Sequence, residues 1–366
     1  MRAAGAARAR EAAAGEGAFE RWLASVWWRP RAGAAAWALW PFSRLYGLLA
    51  GLNRRLSGST ATAPVPVIVV GNLVVGGAGK TPIVIALVQA LQAAGRHPGV
   101  ISRGHGRRDA AGTAVAQVVA ASTAHEVGDE PLLIHRRTGV PVFVGPRRAE
   151  VANALCTAHP AVDVIVSDDG LQHHALARVA ELIVFDDRGA GNGMLLPAGP
   201  LRQRLPRAMP AHARVAYTGR FVSTALPGML VARSATRVLP LAAWSASDES
   251  AARPLASLKA RRLTALAGIG APEQFFAMLE REDLAIDRLP CRDHAEYAEV
   301  PWPEGTREVI TTEKDAVKLA ALPRIEATVW VLPLDCELPV ALVRDLIALL
   351  PAVRAPARAS GQEPHR

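Results

Sequence analysis

The amino-acid sequence predicts an α/β protein, an α/β/α sandwich joined to a second, smaller α/β domain and preceded by a membrane-interfacial segment. Three observations carry this reading. Short apolar runs alternate with Ala-, Leu- and Val-rich stretches of helical spacing, the pattern of βαβ units. A glycine-rich string stands between a strand-like run and a helix-like one at residues 76–81. The 366 residues are also long for a single domain.

Along the chain, residues 1–20, rich in Ala, Gly and Arg, read as a loose extension, and 21–55 as an interfacial segment. The first domain, 56–220, carries expected strands at 65–70, 98–102, 116–119, 140–144, 162–167, 181–185 and 215–218. Helices are expected between them, among others at 82–94 and 147–158. Pro197, Pro200, Pro206 and Pro210, with Gly193 and Gly199, exclude regular structure there and predict a long functional loop. The second domain, 221–352, has expected strands at 263–267, 308–312 and 327–332 and helices at 272–281 and 339–350, before a flexible tail at 353–366.

Charge and aromatic residues are concentrated at the N-terminus. Residues 1–55 hold nine arginines against three glutamates, two-thirds of the chain's net charge of +9. Such asymmetry points to an anionic surface. Five of the eight tryptophans (Trp22, Trp27, Trp28, Trp37, Trp40) lie in the same stretch, with Phe42, Leu45, Tyr46, Leu48 and Leu49. Tryptophan and tyrosine beside arginine favour a membrane interface over nucleic acid. The longest charge-free run, 32–43, is too short to span a bilayer and contains Pro41, and no secretory signal is expected. Three scattered cysteines (Cys156, Cys291, Cys336) predict neither a disulfide framework nor a zinc site, which favours a reducing compartment.

The string Gly76-Gly77-Ala78-Gly79-Lys80-Thr81 has the residues of a phosphate loop, in the context of a P-loop NTPase-like fold. Glycines let backbone N–H groups converge on an anion, Lys80 reaches β- and γ-phosphates, and the Thr81 hydroxyl ligates magnesium. The strict pattern would need glycine where Val74 stands, so this is the glycine-paired variant. Asp168 and Asp169 follow an apolar run, where acids at a strand end can serve magnesium. Asp129 and Glu130 form a second acidic pair, read equally as site residues or as carboxylates capping a helix. Only four lysines occur, and Lys80 and Lys314 fall in unusual strings; a lysine retained among arginines marks a need for a compact ammonium.

Taken in order, these strings resemble the tetraacyldisaccharide 4′-kinase (lipid A 4′-kinase) family. The resemblance rests on residues 70–82, Ser102-Arg103-Gly104, 127–131, 167–173, 196–202, Gly268-Ile269, Asp293-His294 and 311–318, and runs from about Trp27 to Leu350. It implies transfer of the ATP γ-phosphoryl group to the 4′-hydroxyl of tetraacyldisaccharide 1-phosphate at the cytoplasmic face of the bacterial inner membrane. By position, it implies Asp129 as catalytic base with His294 as partner and Lys80 in catalysis. Thr81, Glu130 and Asp169 would serve Mg2+, and Asn72, Arg103, Asp168, Gln172 and His173 would line the cleft. The expected partners are the lipid disaccharide and the membrane surface, without nucleic acid or an obligate protein partner. His105 departs from the family's usual tyrosine, Gln203 from glutamate, and Tyr297 from phenylalanine.

The competing class is a membrane-associated P-loop switch ATPase or GTPase acting through protein partners. Val75 replaces the extra lysine of partitioning-type ATPases, and Lys314-Asp315 are adjacent, so the guanine-reading N-K-x-D string is absent. Both features favour the kinase.

Overall fold

The computed structural model describes Phe19 and residues 21–56, 61–77, 79–107, 115–293 and 295–352. Ala78, His294, nearly all of the 1–20 extension and the 353–366 tail therefore lie outside the described residues.

The first sheet has eight strands in the order β3-β4-β2-β5-β1-β6-β7-β8. They are β1 (Val67–Gly71), β2 (Pro98–Ser102), β3 (Ala116–Val118), β4 (Val142–Val144), β5 (Val164–Asp168), β6 (Ala180–Phe185), β7 (Ala213–Tyr217) and β8 (Met229–Leu230). Every pairing is parallel except that of β3 with β4. Both faces of such a sheet must be covered, so its strands read as unbroken apolar runs, and β1, β2 and β5 are buried at every position. The expected strands are present with slightly moved ends. One shift matters: β5 runs on to Asp168, whose Cα pairs in register with Val70, so the first acid of its pair belongs to the sheet.

The helices are α1 (21–27), α2 (Ala34–Leu56), α3 (Lys80–Ala93), α4 (Ala124–Val127), α5 (Asp129–Thr138), α6 (Arg148–Ala158), α7 (Leu241–Ser245), α8 (Pro272–Arg281), α9 (Glu313–Leu319) and α10 (Val340–Ala348). The glycine loop connects β1 to α3, whose Ile83 to Val88 are all buried. A helix apolar on every side must be covered on every side. The sheet, α5 and α10 share this task, and α10 thereby returns to the first sheet, with Leu342 and Leu346 in the same core as Leu87 and Leu91. Arg96 Nη1 donates to Pro351 O at 3.1 Å, and Arg214 pairs with Asp345 at 3.3 Å, fastening the returning segment.

The linker strands β9 (Ala232–Ser234) and β16 (Asp335–Glu337) pair antiparallel and lead to and from the second sheet. That sheet contains β10 (Arg237–Pro240), β11 (Arg253–Pro254), β12 (Arg262–Ala267), β13 (Ala285–Pro290), β14 (Glu308–Thr312) and β15 (Thr328–Leu332), in the order β11-β10-β15-β14-β12-β13. Strand β13 is not foreseen in the sequence because its residues are mostly exposed and include Asp287 and Arg288, so it shows no apolar run. It is nonetheless paired along its whole length with β12.

The 186–212 stretch contains no helix or extended strand, as its prolines predict. One side of this loop carries the N-terminal helices. Trp27 Nε1 donates to Pro197 O at 2.8 Å, Ser43 Oγ to Leu195 O at 2.8 Å, and Tyr46 Oη to Arg202 O at 2.9 Å. Its other side holds the glycine loop: Val75 N donates to Pro200 O at 2.9 Å, and Arg202 N to Leu73 O at 2.8 Å.

Candidate active site

The glycine loop leaves β1 through Asn72, which is fully buried and ties the start of the loop to its end. Its Nδ2 donates to Gly76 O at 3.1 Å, its Oδ1 accepts from Lys80 Nζ at 3.2 Å, and its carbonyl accepts from Gln172 Nε2 at 3.0 Å. Gly76 and Gly79 hold φ of +85° and +70°, backbone open to glycine at little cost. Thr81 comes directly after Lys80 in the first turn of α3, where free N–H groups and the helix dipole attract anions.

At the end of β5, the two neighbouring acids have different environments. Asp168 is buried, with Ser102 Oγ donating to Oδ2 at 3.2 Å, while Oδ1 has no hydrogen-bond partner. Burial first, then the nearby charges of Glu130 and Asp169, push its carboxyl up to about 7. Asp169 turns out of the strand at φ +48°. Lys80 Nζ lies 3.2 Å from its Oδ1, and Arg202 Nη1 lies 3.4 Å away. Burial would raise this carboxyl, but the two cations outweigh it and hold it below the usual carboxylate range.

Asp129 and Glu130 open α5 as helix N-terminal carboxylates, one of the two alternatives left by the sequence. Asp129 is 5% exposed and accepts Glu130 N on Oδ1 at 2.9 Å. Gly128 (φ +92°) precedes it, and a Cβ there would lie 2.9 Å from His105 O. Only glycine lets the Arg103-Gly104-His105 loop approach Asp129 this closely. From the second domain, Lys314 Nζ enters this acidic corner, 3.2 Å from Glu130, 3.1 Å from Asp293 and 3.9 Å from Asp129. Burial alone would lower its pKa, yet the three carboxylates raise it well above the ordinary lysine value. The second domain also touches the glycine loop directly, since a Cβ on Gly270 would lie 3.3 Å from Gly77 N.

The structure thus brings Asn72, Gly76, Lys80, Gln172 and Asp169 into one network, with Gly77 and Gly79 in the same loop and Asp168 and Glu130 beside it. Arg103 is exposed and lies with Arg148 and Arg178 around His173, whose pKa is lowered by burial and then by these cations. Ala78 and His294 are outside the described residues, although Asp293, next to His294, is in contact with Lys314. Among the described residues, no three His, Cys, Asp or Glu side chains cluster as a ready-made metal cage. Lys314 stands out in the sequence but has no role legible there. Nor does the sequence signal Arg148, whose Nη2 donates to Asp168 O at 3.2 Å, or the contact of Arg202 with Gln172 Oε1 at 3.4 Å. Tyr297 donates to Asp315 Oδ1 at 2.9 Å, a bond that phenylalanine could not make.

A parallel α/β sheet with a glycine loop, a lysine and converging carboxylates at its carboxyl edge defines a phosphotransferase of the α/β class. Comparison with known proteins narrows the class. The family described as tetraacyldisaccharide-1-P 4′-kinase matches residues 35–351. A tetraacyldisaccharide 4′-kinase of Leptothrix cholodnii is 49% identical over 331 residues, covering 88% of this chain and 94% of its own. That of Methylibium petroleiphilum is 48% identical over 328 residues, covering 87% and 90%. The crystal structure of the "apo" form of LpxK from Aquifex aeolicus in complex with ATP superposes with a TM-score of 0.68 at 26% identity, over 86% of this chain and 99% of the other. The chain belongs to the tetraacyldisaccharide-1-P 4′-kinase family and is a kinase.

Proposed function

We propose that the chain transfers the γ-phosphoryl group of ATP to the 4′-hydroxyl of tetraacyldisaccharide 1-phosphate, forming lipid IVA in lipid A biosynthesis. The observation that carries this reading is the convergence of Lys80 from the glycine loop and Glu130 from α5 on the Asp168-Asp169 pair, in a chain that matches the family over 35–351.

The N–H groups of Gly76 to Gly79 and the start of α3 bind the ATP phosphates, with Ala78 assigned by its place in the loop. Lys80, held between Asn72 and Asp169, is positioned for the transferring phosphoryl group. Asp129 takes the proton of the acceptor hydroxyl, with His294 as its partner on sequence grounds. Arg103 and His173 line the cleft, and Gln172 donates to Asn72 O while accepting from Arg202, which also pairs with Asp169.

The residues fit magnesium. Oδ1 of Asp168 is buried without a hydrogen-bond partner, and burial first, then the charges of Glu130 and Asp169, raise this carboxyl, a cost that a bound cation relieves. Thr81, Glu130 and Asp169 are the groups that would hold it. When bound with ATP, magnesium offsets the charge on the phosphates. A site of few carboxylates suits it, because the ion keeps waters and phosphate oxygens as its other ligands.

The N-terminal helices are the seat on the membrane, placing the enzyme at the cytoplasmic face of the inner membrane. Trp37, Phe42, Leu45, Leu48 and Leu49 of α2 are all more than half exposed, a patch of the kind that marks a lipid surface. No helix among the described residues is long and apolar enough to cross a membrane. A pocket of about 360 Å³ lies between α2 and the 193–205 loop, lined by Trp40, Arg44, Met194, Leu195, Arg204 and Leu205. Apolar walls with two arginines suit an acylated, phosphorylated sugar.

Purified protein with Mg2+ and labelled ATP should phosphorylate tetraacyldisaccharide 1-phosphate in detergent micelles. ATP hydrolysis stimulated by a protein partner, with no lipid product, would overturn the assignment.

A further inference from the structure

A phosphate loop turns its N–H groups inward, so its carbonyls point outward and need donors of their own. Two successive carbonyls have them here. Gly76 O accepts from Asn72 Nδ2 at 3.1 Å, and Gly77 O accepts from Arg188 Nη2 at 2.6 Å. Arg188 comes from the turn after β6, 111 residues away. It is set from two further sides. Its Nε donates to Asp186 Oδ2 at 2.8 Å, and its guanidinium lies 4.3 Å over the Trp28 ring.

Trp28 is itself fixed to the same loop. Asn192 N donates to Trp27 O at 2.8 Å, and Asn192 Nδ2 to Val26 O at 3.2 Å. A Cβ on Gly191 would come within 2.3 Å of Trp27 O, so glycine is required at this approach. The arginine therefore has the N-terminal segment on one face and the glycine loop at its tip. Its charge is matched by buried Asp186, whose Oδ2 lies 2.6 Å from Nη2, so its part is geometric more than electrostatic.

We infer that Arg188 is a positioning residue for ATP, holding the Gly77 peptide with its carbonyl outward, and that Trp28 links this setting to the seating of the N-terminal helices. The inference rests on the reading of residues 76–81 as the ATP-phosphate site. Removing the guanidinium frees the Gly77 peptide to rotate and weakens nucleotide binding without touching the acceptor. The Trp28 ring acts through Arg188, so its removal has no separate effect once the arginine is gone.

The test is direct binding of MgATP by calorimetry to the full chain in detergent micelles, with melting temperatures and lipid-kinase KM values for each variant. Loss of one charge-assisted hydrogen bond predicts a Kd for MgATP about tenfold higher in Arg188→Ala, with an unchanged KM for the lipid. Arg188→Lys keeps the charge but not the planar stack and recovers part of the loss. Trp28→Leu raises Kd by roughly threefold alone and adds nothing in the Arg188→Ala background, the signature of coupled residues. Trp22→Leu, exposed in the same segment, leaves Kd unchanged.

Wild-type Kd in Arg188→Ala, while Lys80→Ala weakens binding, overturns the inference. Additive effects of the Trp28 and Arg188 changes overturn the link to the N-terminal helices. If Lys80→Ala also binds ATP normally, the phosphate-loop reading itself fails. Should Arg188→Ala not fold, an Arg188→Lys protein with wild-type melting and wild-type Kd is decisive against the proposal.

Discussion

Lys314 Nζ of the second domain lies 3.2 Å from Glu130 Oε1 of the first, and the same ammonium contacts Asp293 at 3.1 Å. One compact cation therefore joins the two domains at the proposed base, which explains a lysine in a chain that otherwise prefers arginine. Lys314→Met should lower kcat by about tenfold or more through misplacement of the two halves of the site. The Kd for ATP should change little. Lys314→Arg should not restore the rate, because a planar fork cannot take three carboxylates around one point. Steady-state kinetics beside nucleotide binding read both outcomes.

Asp129 is buried at the start of α5 and close to Lys314. Asp129→Ala should retain ATP binding yet lose roughly 10²–10⁴ in turnover, the usual range for a general base. Normal turnover in this variant would remove Asp129 from that role.

Glu313, next to Lys314, is held by hydrogen bonds from three residues. Arg137 Nη1 lies 2.8 Å from each of its oxygens, Trp244 Nε1 donates at 3.1 Å and Leu334 N at 3.2 Å. Arg137 belongs to α5 and Glu313 to α9, so this buried pair also fastens one domain to the other. Glu313→Ala leaves the guanidinium short of a partner and should cost about 3 kcal/mol, measured from urea unfolding. A loss within experimental error would show that Asp335, whose Oδ1 accepts from Arg137 Nη2 at 2.5 Å, alone satisfies Arg137.

The exposed face of α2 makes the membrane reading testable without truncation. Trp37→Ser, Leu48→Ser and Leu49→Ser change side chains that are at least 57% exposed, so the melting temperature should hold. Each large apolar group transferred from water contributes on the order of 2 kcal/mol, so the triple variant should lose at least two orders of magnitude in vesicle partitioning. Unchanged sedimentation with anionic vesicles would refute the interfacial seat.

The three thiols are shifted in one direction. Burial pushes Cys156 and Cys291 up, and Cys336 up to about 12. A thiol below its pKa is protonated, and the thiolate is the reactive form. Cys336 should therefore resist alkylation at pH 8 in the native protein and react fully only after unfolding, as mass spectrometry of labelled peptides would report.

Much of this was legible in the sequence because it depends on local order. The β1–loop–α3 unit is set by an apolar run, glycines and a helix start, all within a few residues, and the acids at 129–130 and 168–169 stand beside recognisable strings. Strand β13 was not legible, since an edge strand rich in charge carries no apolar signal. Arg148 and Arg188 were hidden among the many arginines, and nothing in their own neighbourhoods distinguishes them, whereas Arg202 closes the recognisable 196–202 string.

By itself, the sequence determined the chemical inventory: a glycine loop with its lysine and threonine, paired carboxylates in a fixed order, and an aromatic, basic N-terminus. Only the tertiary structure decided what these groups do to each other. It buried Asp168 and turned Asp169 toward Lys80, though the two are adjacent in the chain. It also brought Lys314 to Glu130 across 184 residues and Arg188 to Gly77 across 111. Charge interactions depend on distance and on exclusion of water, and neither quantity is set by separation along the chain.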